Sequence, residues 1–407
     1  MSIKHFSIAL FMIVSFAFTF PVSAWDETGH KITAYIAWQQ MTPETRDRVI
    51  KILRSAPEDA QLSTFYMGFG GRSEEARRRE FFMVIASWAD IIRDRDFETR
   101  MKKYHHSNWH YKDTFWKTVD GKPVLLPDTE EGGKALDKLI DFDKVIRGGD
   151  SDKEKAIAIA WLLHVIGDIH QPLHASGRVT DEEPKGDQGG NTFLLTPKDT
   201  PRDKQENLHW FWDSIVGRAI PRKNDACDAD YLDPIARAIM KKYPFAKMQA
   251  RLDPGNFKDW MEESLKDAQE KVYSADLKRF ETPSAAYKKK ALGVAEERLA
   301  LAGYRIGALF NEVFGAKPAG PATASNSIPC QVIRKVMYPV TQTASVKQTL
   351  EIALLELCPK QVAARPMLSF MVDGKPVMRE YEVVRTFRNA DEARKFAADN
   401  NISDVSF

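Results

Sequence analysis

The sequence predicts a mainly α fold with a small α+β appendage at its C-terminal end. From residue 29 to about 315, apolar residues recur at steps of three and four, which is the period of an amphipathic helix. Pro, Ala, Gly, Ser and Thr then dominate 316–327, as in a linker. Beyond the linker, apolar and polar residues alternate with the period of a strand. We therefore expect a helical domain over 25–315 and an appendage over 328–407.

The segment 1–24 is expected to be removed rather than folded. Lys4 and His5 precede an almost wholly apolar stretch, Phe6–Phe20, and small residues follow up to Ala24. This pattern is typical of a secretory signal peptide, because the stretch is too short and wrongly flanked for a stable membrane anchor. An uncleaved anchor is the alternative. Cleavage after Ala24 would make Trp25 the N-terminus of a secreted or periplasmic protein.

Nine segments of the large domain carry the helical period. The predicted helices are Lys31–Gln40, Thr42–Arg54, Glu74–Arg93, Ala135–Arg147, Asp152–His170, Glu206–Val216, Tyr231–Lys242, Asn256–Ser274 and Ala285–Phe314. The stretch Ser176–Asp203 is rich in Gly, Pro and charged residues instead. We expect a long functional loop there, and its apolar run Thr192–Thr196 is compatible with a small hairpin.

The appendage combines strand patterns with one helical pattern. Strands are predicted over Cys330–Tyr338, Pro366–Val372 and Pro376–Arg385, with a hairpin turn at Asp373-Gly374. Ala390–Asn400 is predicted to be a helix. This mixture is the basis for assigning the appendage to the α+β class.

Charge and cysteine content limit the kind of binding site. The formal net charge is +2, so no bulk basic field attracts nucleic acid, and a polyanion must be bound by metal or a few cations. The cysteines are Cys227, Cys330 and Cys358. The last two are the favoured disulfide pair in an exported chain, although the connectivity stays open. None has zinc-finger spacing, so a zinc site must use histidine and carboxylate ligands.

Two pairs of histidine and aspartate share a four-residue spacing on predicted helices. His164 precedes Asp168, and His209 precedes Asp213, in apolar and aromatic surroundings. Residues four apart lie on one helix face, where an imidazole and a carboxylate can bind one cation. A local hydrogen bond is the alternative for a single pair. Two pairs, together with His174 just after a helix-ending proline, favour a metal site.

Further polar residues lie in apolar contexts but mean little individually. Asp90 and Arg93 end an apolar stretch and could form an ordinary ion pair, while His110 lies between two aromatic residues. His30 could simply begin a helix. His170 is on a different helix face from His164 and is interpreted as structural or supporting. The adjacent His105 and His106 are expected at the surface or beside the site.

With these residues laid out, the chain resembles the single-strand-specific zinc nucleases and 3′-nucleotidases, the family that includes mung bean nuclease. The resemblance runs from Trp25 to about Phe314 and implies a multi-helical zinc nuclease or phospholipase C-like domain. The two His-x3-Asp elements and the tryptophan at the expected new terminus are its specific part. The cysteines differ from those of plant and fungal members, which suggests a bacterial-type member. The matching pieces are Trp25–His30, Ser87–Arg93, Asn108–Tyr111, His164 with Asp168 and His174, Gly189–Asn191, and His209 with Asp213.

The resemblance implies three zinc ions per chain. The first would be bound by Asp90, His110, His164 and Asp168. The second would share Asp168 and take His30 with the free α-amine and carbonyl of Trp25. The third would be bound by His174, His209 and Asp213. A free amine is needed for the second ion, so the unprocessed precursor should lack that ligand.

The resemblance also implies a reaction. A hydroxide bridging the zinc pair that shares Asp168 would attack phosphorus, and Arg93, held by Asp90, would stabilise the charge that develops. Single-stranded DNA or RNA would yield 5′-phosphate products, with additional 3′-nucleotidase activity. Tyr111 would stack on an unpaired base, while Asp113 and Asn191 would bind its edge. Plain core packing is the alternative for Tyr111.

Three other functions compete with this interpretation. The related zinc phospholipases C typically have Glu as the last ligand and a longer spacing after the terminal tryptophan, whereas this chain has Asp213 and a short Trp25–His30 step. A zinc-binding protein without catalysis would need no Arg93. An adhesin would rest on the appendage alone. The preferred prediction is therefore an exported, monomeric zinc nuclease without a stable membrane anchor, acting on single-stranded nucleic acid and nucleotides.

Overall fold

The computed structural model divides the chain into two compact units, Met1–Lys317 and Pro318–Phe407. It describes 25–66, 73–127, 132–223 and 228–315, except for the side chains of 229 and 230, and the backbone of five strands between 332 and 387. The expected signal peptide, the linker and all three cysteines lie outside the described residues. Within the described part, no helix is long and apolar enough to cross a membrane.

Helices dominate the described part of the first unit, so the prediction of a mainly α fold is confirmed. Only α6 and α13 begin and end at the residues that the sequence predicted. The helices are α1 Glu27–Gln40, α2 Pro43–Arg54, α3 Glu74–Ile85, α4 Trp88–Ile91, α5 Glu98–Tyr104, α6 Ala135–Arg147, α7 Asp152–Ile169, α8 Leu208–Asp213, α9 Ile215–Ala219, α10 Asp228–Lys242, α11 Phe245–Met248, α12 Phe257–Asp267 and α13 Ala285–Phe314.

Helix α7 runs through the core of this unit. Its first turn has a capping box, in which Ser151 Oγ accepts from the backbone N–H of Glu154 and the Glu154 carboxylate accepts from that of Ser151. Nearly every side chain from Ala156 to Ile169 is buried, because α1, α2, α4, α6, α12 and α13 all pack against this helix. Polar side chains near its C-terminal end are therefore shielded from water.

Two segments predicted as single helices are interrupted, which corrects the sequence prediction. Glu74–Arg93 divides into α3 and α4 around Ala86 and Ser87, and Glu206–Val216 divides at Ser214. At the first interruption, the carbonyl of Ala86 accepts a hydrogen bond from the imidazole of His164. Apolar periodicity continues across both breaks, so the pattern alone did not reveal them.

A three-stranded sheet adjoins the helices, and none of its strands was predicted from the sequence. Its strands are β1 Thr114–Val119, β2 Lys122–Leu125 and β3 Ser176–Arg178, in the order β2-β1-β3. β1 is antiparallel to β2 and parallel to β3. Strand β3 opens the predicted loop, whose apolar run forms only an isolated bridge between Leu194 and Asn207 rather than a hairpin.

The described part of the second unit is an antiparallel sheet. Its strands are β4 Val332–Gln342, β5 Lys347–Leu357, β6 Gln361–Val372, β7 Lys375–Glu380 and β8 Arg385–Phe387. The order is β4-β5-β6-β7, and β8 also pairs with β6. Strand β5 was not predicted. The predicted turn at Asp373-Gly374 and the predicted helix Ala390–Asn400 lie outside the described residues.

Candidate metal centre

Helix α7 supplies the centre of the candidate site. His164 and Asp168 lie one turn apart near its C-terminal end, and both side chains are fully buried. Asp168 Oδ2 is 3.3 Å from His164 Nε2. The four-residue spacing in the sequence therefore does bring the His164 imidazole and the Asp168 carboxylate next to each other.

The two carboxylate oxygens of Asp168 face different histidines. Oδ2 lies 3.1 Å from Nδ1 of His110, whereas Oδ1 lies 3.2 Å from Nε2 of His30. Oδ1 of Asp90 approaches Nε2 of His164 at 3.8 Å. We call these five residues the Asp168 cluster. It contains two overlapping groups with ligand atoms within 4.8 Å of one another, His30 with His164 and Asp168, and Asp90 with His110 and His164.

The N-terminal end of the described chain brings His30 to this cluster. The Asp26 carboxylate accepts from the backbone N–H of Gly29 at 3.0 Å and so caps α1, whose first turns carry His30. The backbone N–H of Asp26 donates to the carbonyl of Asp213 at 3.0 Å. Trp25 is fully buried. The expected new terminus is therefore held inside the site region.

A second group of ligands, which we call the His209 cluster, consists of His174, His209 and Asp213. Nε2 of His209 lies 3.4 Å from Asp213 Oδ2, and Nε2 of His174 lies 3.8 Å from Asp213 Oδ1. His174 reaches this position because α7 gives way to a short 3-10 turn at Pro172. Sequence reasoning missed Gln171, whose Nε2 donates to Asp213 Oδ1 at 2.8 Å.

Backbone carbonyls fix the orientation of three of the histidines. Nδ1 of His164, His174 and His209 lies 2.7, 2.9 and 2.8 Å from the carbonyls of Ala86, His110 and Gly189, respectively. A carbonyl can only accept, so each Nδ1 carries the proton and each Nε2 keeps a lone pair. Supporting bonds of this kind commonly orient metal-binding histidines.

Burial alters the protonation of both clusters. It raises the pKa of the Asp168 and Asp213 carboxyls well above their usual range and that of Asp90 to about 6. It also lowers the pKa of His30 well below its usual range and that of His164 to about 3. The imidazoles are thus neutral, as metal ligands must be, while the carboxylates need a nearby cation to stay ionised.

Several ligand atoms also lack a satisfactory partner. Among the described residues, neither His30 Nε2, Asp168 Oδ1 nor Asp213 Oδ2 makes a hydrogen bond of acceptable geometry, although all three atoms are buried. Burying a polar atom without a hydrogen bond lowers the stability of the folded protein, unless another group such as a metal ion binds that atom. Nitrogen and oxygen donors converging in this way fit zinc. Both clusters could therefore hold metal ions.

Arg93 lies beside the Asp168 cluster. Its Nη2 is 2.8 Å from Oδ1 of Asp90, and 16% of its side chain is exposed. The positive charge of Arg93 helps, after burial, to lower the pKa of His110. The ion pair that the sequence suggested is present, and it holds a guanidinium beside the Asp168 cluster.

The residues expected to bind a base stand on two different loops. Tyr111 is partly buried, and the side chain of Asp113 is 8% exposed, with a carboxyl pKa that burial raises well above its usual range. Asn191 Nδ2 donates to the carbonyl of Gln188 at 2.9 Å. Asn191 thus keeps its amide oxygen and the second N–H of Nδ2 for an outside ligand.

The remaining histidines of the described chain, His105, His106 and His170, lie outside both clusters. Nδ1 of His170 donates to the Ile166 carbonyl, while Nε2 accepts from Arg305, so both ring nitrogens are used. His106 stacks on Trp109 with ring centroids 3.7 Å apart. His105 is partly buried. The bonds of His170 fit the structural role predicted for it, while His105 and His106 are partly buried rather than fully exposed.

The sequence model of the S1/P1 Nuclease family matches residues 25–315. The chain belongs to the S1/P1 nuclease family. The resemblance found in the sequence is confirmed, and the match covers the helical unit with both clusters. Membership of the S1/P1 nuclease family makes this chain a nuclease.

Individual members of the S1/P1 nuclease family are distant relatives. Nuclease S1 of Aspergillus oryzae is 25% identical over 305 residues, covering 70% of this chain and 90% of that protein. Endonuclease 4 of Arabidopsis thaliana is 28% identical over 324 residues, covering 72% and 90%. Among solved structures, the alignment with alpha-toxin of Clostridium perfringens covers 90% of this chain and 96% of the toxin chain at 10% identity. Its TM-score of 0.29 is too low to support any conclusion.

Proposed function

We propose that this protein is an exported, zinc-dependent nuclease that cleaves single-stranded DNA and RNA to 5′-phosphate products and also acts as a 3′-nucleotidase. The observation that carries the proposal is the arrangement of Asp168, whose two oxygens face His30 on one side and His110 with His164 on the other. One buried carboxylate can then serve two ions, and the His209 cluster offers a third site.

The three ions would be held by the residues that the family resemblance implied. Asp90, His110, His164 and Asp168 would hold one, while His30, Asp168 and the α-amine and carbonyl of Trp25 would hold another. His174, His209 and Asp213 would hold the third. When bound, zinc supplies Lewis acidity toward phosphate oxygens and makes hydroxide available near neutral pH.

The other residues would bind and orient the substrate. Arg93 would donate to a phosphoryl oxygen as its negative charge grows, and Asp90 keeps the guanidinium in position at 2.8 Å. Tyr111 would stack on a base, with Asp113 and the amide oxygen of Asn191 at its edge. A base within a duplex is already stacked on both faces, so an unpaired base is preferred.

Metal analysis and substrate choice together test this proposal. The N-terminally sequenced mature protein should contain three zinc ions and should release nucleotides from denatured DNA much faster than from duplex DNA. Asp168→Ala should lose more zinc than His209→Ala, because Asp168 serves two ions. Full hydrolysis after removal of zinc, or release of phosphocholine from lipid in place of nucleotides, would refute the proposal.

A further inference from the structure

A short turn beside the candidate metal centre contacts a proposed zinc ligand, His209, and carries a proposed base-binding residue, Asn191. We call the residues 187–192 the GGN turn. The carbonyl of Asp187, at its start, accepts from the backbone N–H groups of Gly190 at 3.1 Å and Thr192 at 3.2 Å. Gln188 and Gly189 both have positive φ, at 53° and 61°. Glycine adopts a positive φ readily, but Gln188 does so at a cost in free energy, which the bonds to Asp187 help to offset.

One end of this turn contacts the His209 cluster. The carbonyl of Gly189 accepts from Nδ1 of His209 at 2.8 Å, and the backbone N–H of His209 donates to the Gly190 carbonyl at 3.4 Å. The contact is close, because a β-carbon at Gly189 would lie 3.2 Å from Nδ1 of His209, and it would also lie 2.6 Å from the carbonyl oxygen of Leu173. The turn thus decides which nitrogen of His209 carries the proton.

The other end of the turn carries Asn191. Its Nδ2 donates to the carbonyl of Gln188 at 2.9 Å, within the same turn. This bond leaves Oδ1 and the second N–H of Nδ2 for a base. Any movement of the turn would therefore disturb a metal ligand and a base-binding group together.

The turn is anchored from outside by the side chain of Asp187. This carboxylate is fully buried, and its Oδ1 accepts from the backbone N–H of Arg178 at 3.1 Å. Its Oδ2 accepts from the hydroxyl of Tyr273. The Tyr273 ring lies edge-on to Trp116 and Phe193, at centroid distances of 5.7 and 6.1 Å.

Tyr273 itself is held by an unusual piece of helix. It follows the π-helical turn Ala268–Val272 that ends α12, and its backbone N–H donates to the carbonyl of Ala268 at 3.0 Å. Wide turns of this kind often occur where a helix must direct a side chain to a functional site. The widened turn ends at the residue whose hydroxyl meets Asp187.

We propose that Tyr273 is a positioning residue that acts on the metal centre and on base binding through Asp187 and the GGN turn. This inference rests on the proposed function, because it assigns roles to His209 and Asn191. Removing the hydroxyl leaves a buried carboxylate oxygen without its donor, so the turn should relax. His209 and Asn191 would then both lose their fixed orientation.

Tyr273→Phe tests the inference, because it removes only the hydroxyl. Titrating the zinc-loaded protein with a calibrated chelator should show one of three zinc ions bound about 10-fold more weakly, as is typical when a supporting bond to a ligand is lost. The other two should be unchanged. The KM for a 3′-nucleotide should also rise relative to that for bis(p-nitrophenyl) phosphate, which has no base.

Tyr304→Phe is the matched control. Tyr304 is 1% exposed, and its hydroxyl donates to the carbonyl of Tyr243 at 2.9 Å, with no bond to the GGN turn. It should leave zinc binding and the KM ratio unchanged. If Tyr273→Phe does not fold, Asp187→Asn replaces the charged bond by a weaker neutral one and should give a smaller loss in the same direction.

The inference would be overturned if Tyr273→Phe bound all three zinc ions as tightly as the wild type, or if it bound all three more weakly by the same factor. A wild-type protein that holds zinc but hydrolyses nothing would instead refute the proposed function. In that case the chelator titration still decides the role of Tyr273, because it does not depend on activity.

Discussion

The backbone of Gly167 on α7 lies directly against the imidazole of His30 on α1. A β-carbon at position 167 would lie 2.9 Å from Nδ1 of His30 and 3.2 Å from its Cε1. The His30 ring cannot retreat easily, because it is fully buried and stacks on His164 with centroids 3.9 Å apart. A glycine one residue before Asp168 therefore lets a ligand from another helix reach the cluster.

Gly167→Ala is expected to weaken zinc binding at the Asp168 cluster. The methyl group would push His30 out of position, and a displacement of about 1 Å can cost on the order of 100-fold in activity. Zinc content and kcat/KM on denatured DNA measure the effect. Gly293→Ala on α13 is the control, since a β-carbon there meets no described atom within 4 Å. Equal zinc content in both variants would contradict the expectation.

An N-terminal extension ahead of Trp25 should block the α-amine of Trp25, which is a proposed zinc ligand. Trp25 is fully buried, and the next residue, Asp26, is bonded through its backbone to Asp213. If the α-amine of Trp25 binds zinc, a two-residue N-terminal extension should lose at least one zinc ion and most activity. The same extension placed after Phe407 is the control. Full zinc content and activity in the N-terminally extended protein would count against the α-amine as a ligand.

Much of the site was predictable because its ligands have local signatures. The spacing of His164 and Asp168 on an apolar helix indicates a shared face, and the ion pair of Asp90 with Arg93 also follows from spacing. The resemblance added His30 and Trp25, whose separate contexts carry little information. Gln171 and Gly167 could not be assigned in this way, because their roles depend on contacts between different helices.

The fold was predictable where apolar periodicity and helix ends coincide. Ala135–Arg147 and Ala285–Phe314 begin and end as predicted. The break at Ala86 was missed, because the Ala86 carbonyl accepts a hydrogen bond from the imidazole of His164, which lies far along the chain. The hairpin of β1 and β2 was missed as well. Long-range hydrogen bonds have no counterpart in the pattern of neighbouring residues.

Arg93→Ala should abolish activity while leaving zinc in place. Arg93 pairs with Asp90 but is not a metal ligand, so its removal takes away charge stabilisation and not a coordinating atom. Loss of one such donor typically lowers kcat by about 100- to 1000-fold. Arg93→Lys keeps the charge but loses the planar fork, and should be intermediate. If Arg93→Ala keeps full activity, or loses zinc together with activity, the assigned role is wrong.

Glu263 on α12 is expected to stabilise the domain by neutralising two buried arginines. Its Oε2 accepts from Nη1 of Arg298 and its Oε1 from Nη2 of Arg305, each at 2.9 Å. Burial raises the pKa of Glu263, but the bonds and charges of Arg305 and Arg298 outweigh it and lower the pKa to about 2. Glu263→Gln should therefore lower the free energy of unfolding at pH 7 by about 2 kcal/mol.

The pH dependence of this difference follows from the sign of the shift. A folded-state pKa of about 2 lies below the ordinary value of 4.5, so the stabilisation is complete above pH 4.5 and is lost as the pH falls toward 2. Urea unfolding of the zinc-free proteins should show a constant difference in the free energy of unfolding between wild type and Glu263→Gln from pH 7 to about 5. Below about pH 5 this difference, or gap, should shrink. Glu262→Gln is the control, because the Glu262 side chain is 59% exposed and, among the described residues, forms an ion pair only with Lys258 across one helical turn. A gap that widens on acidification, or an equal loss in Glu262→Gln, would exclude this role for Glu263.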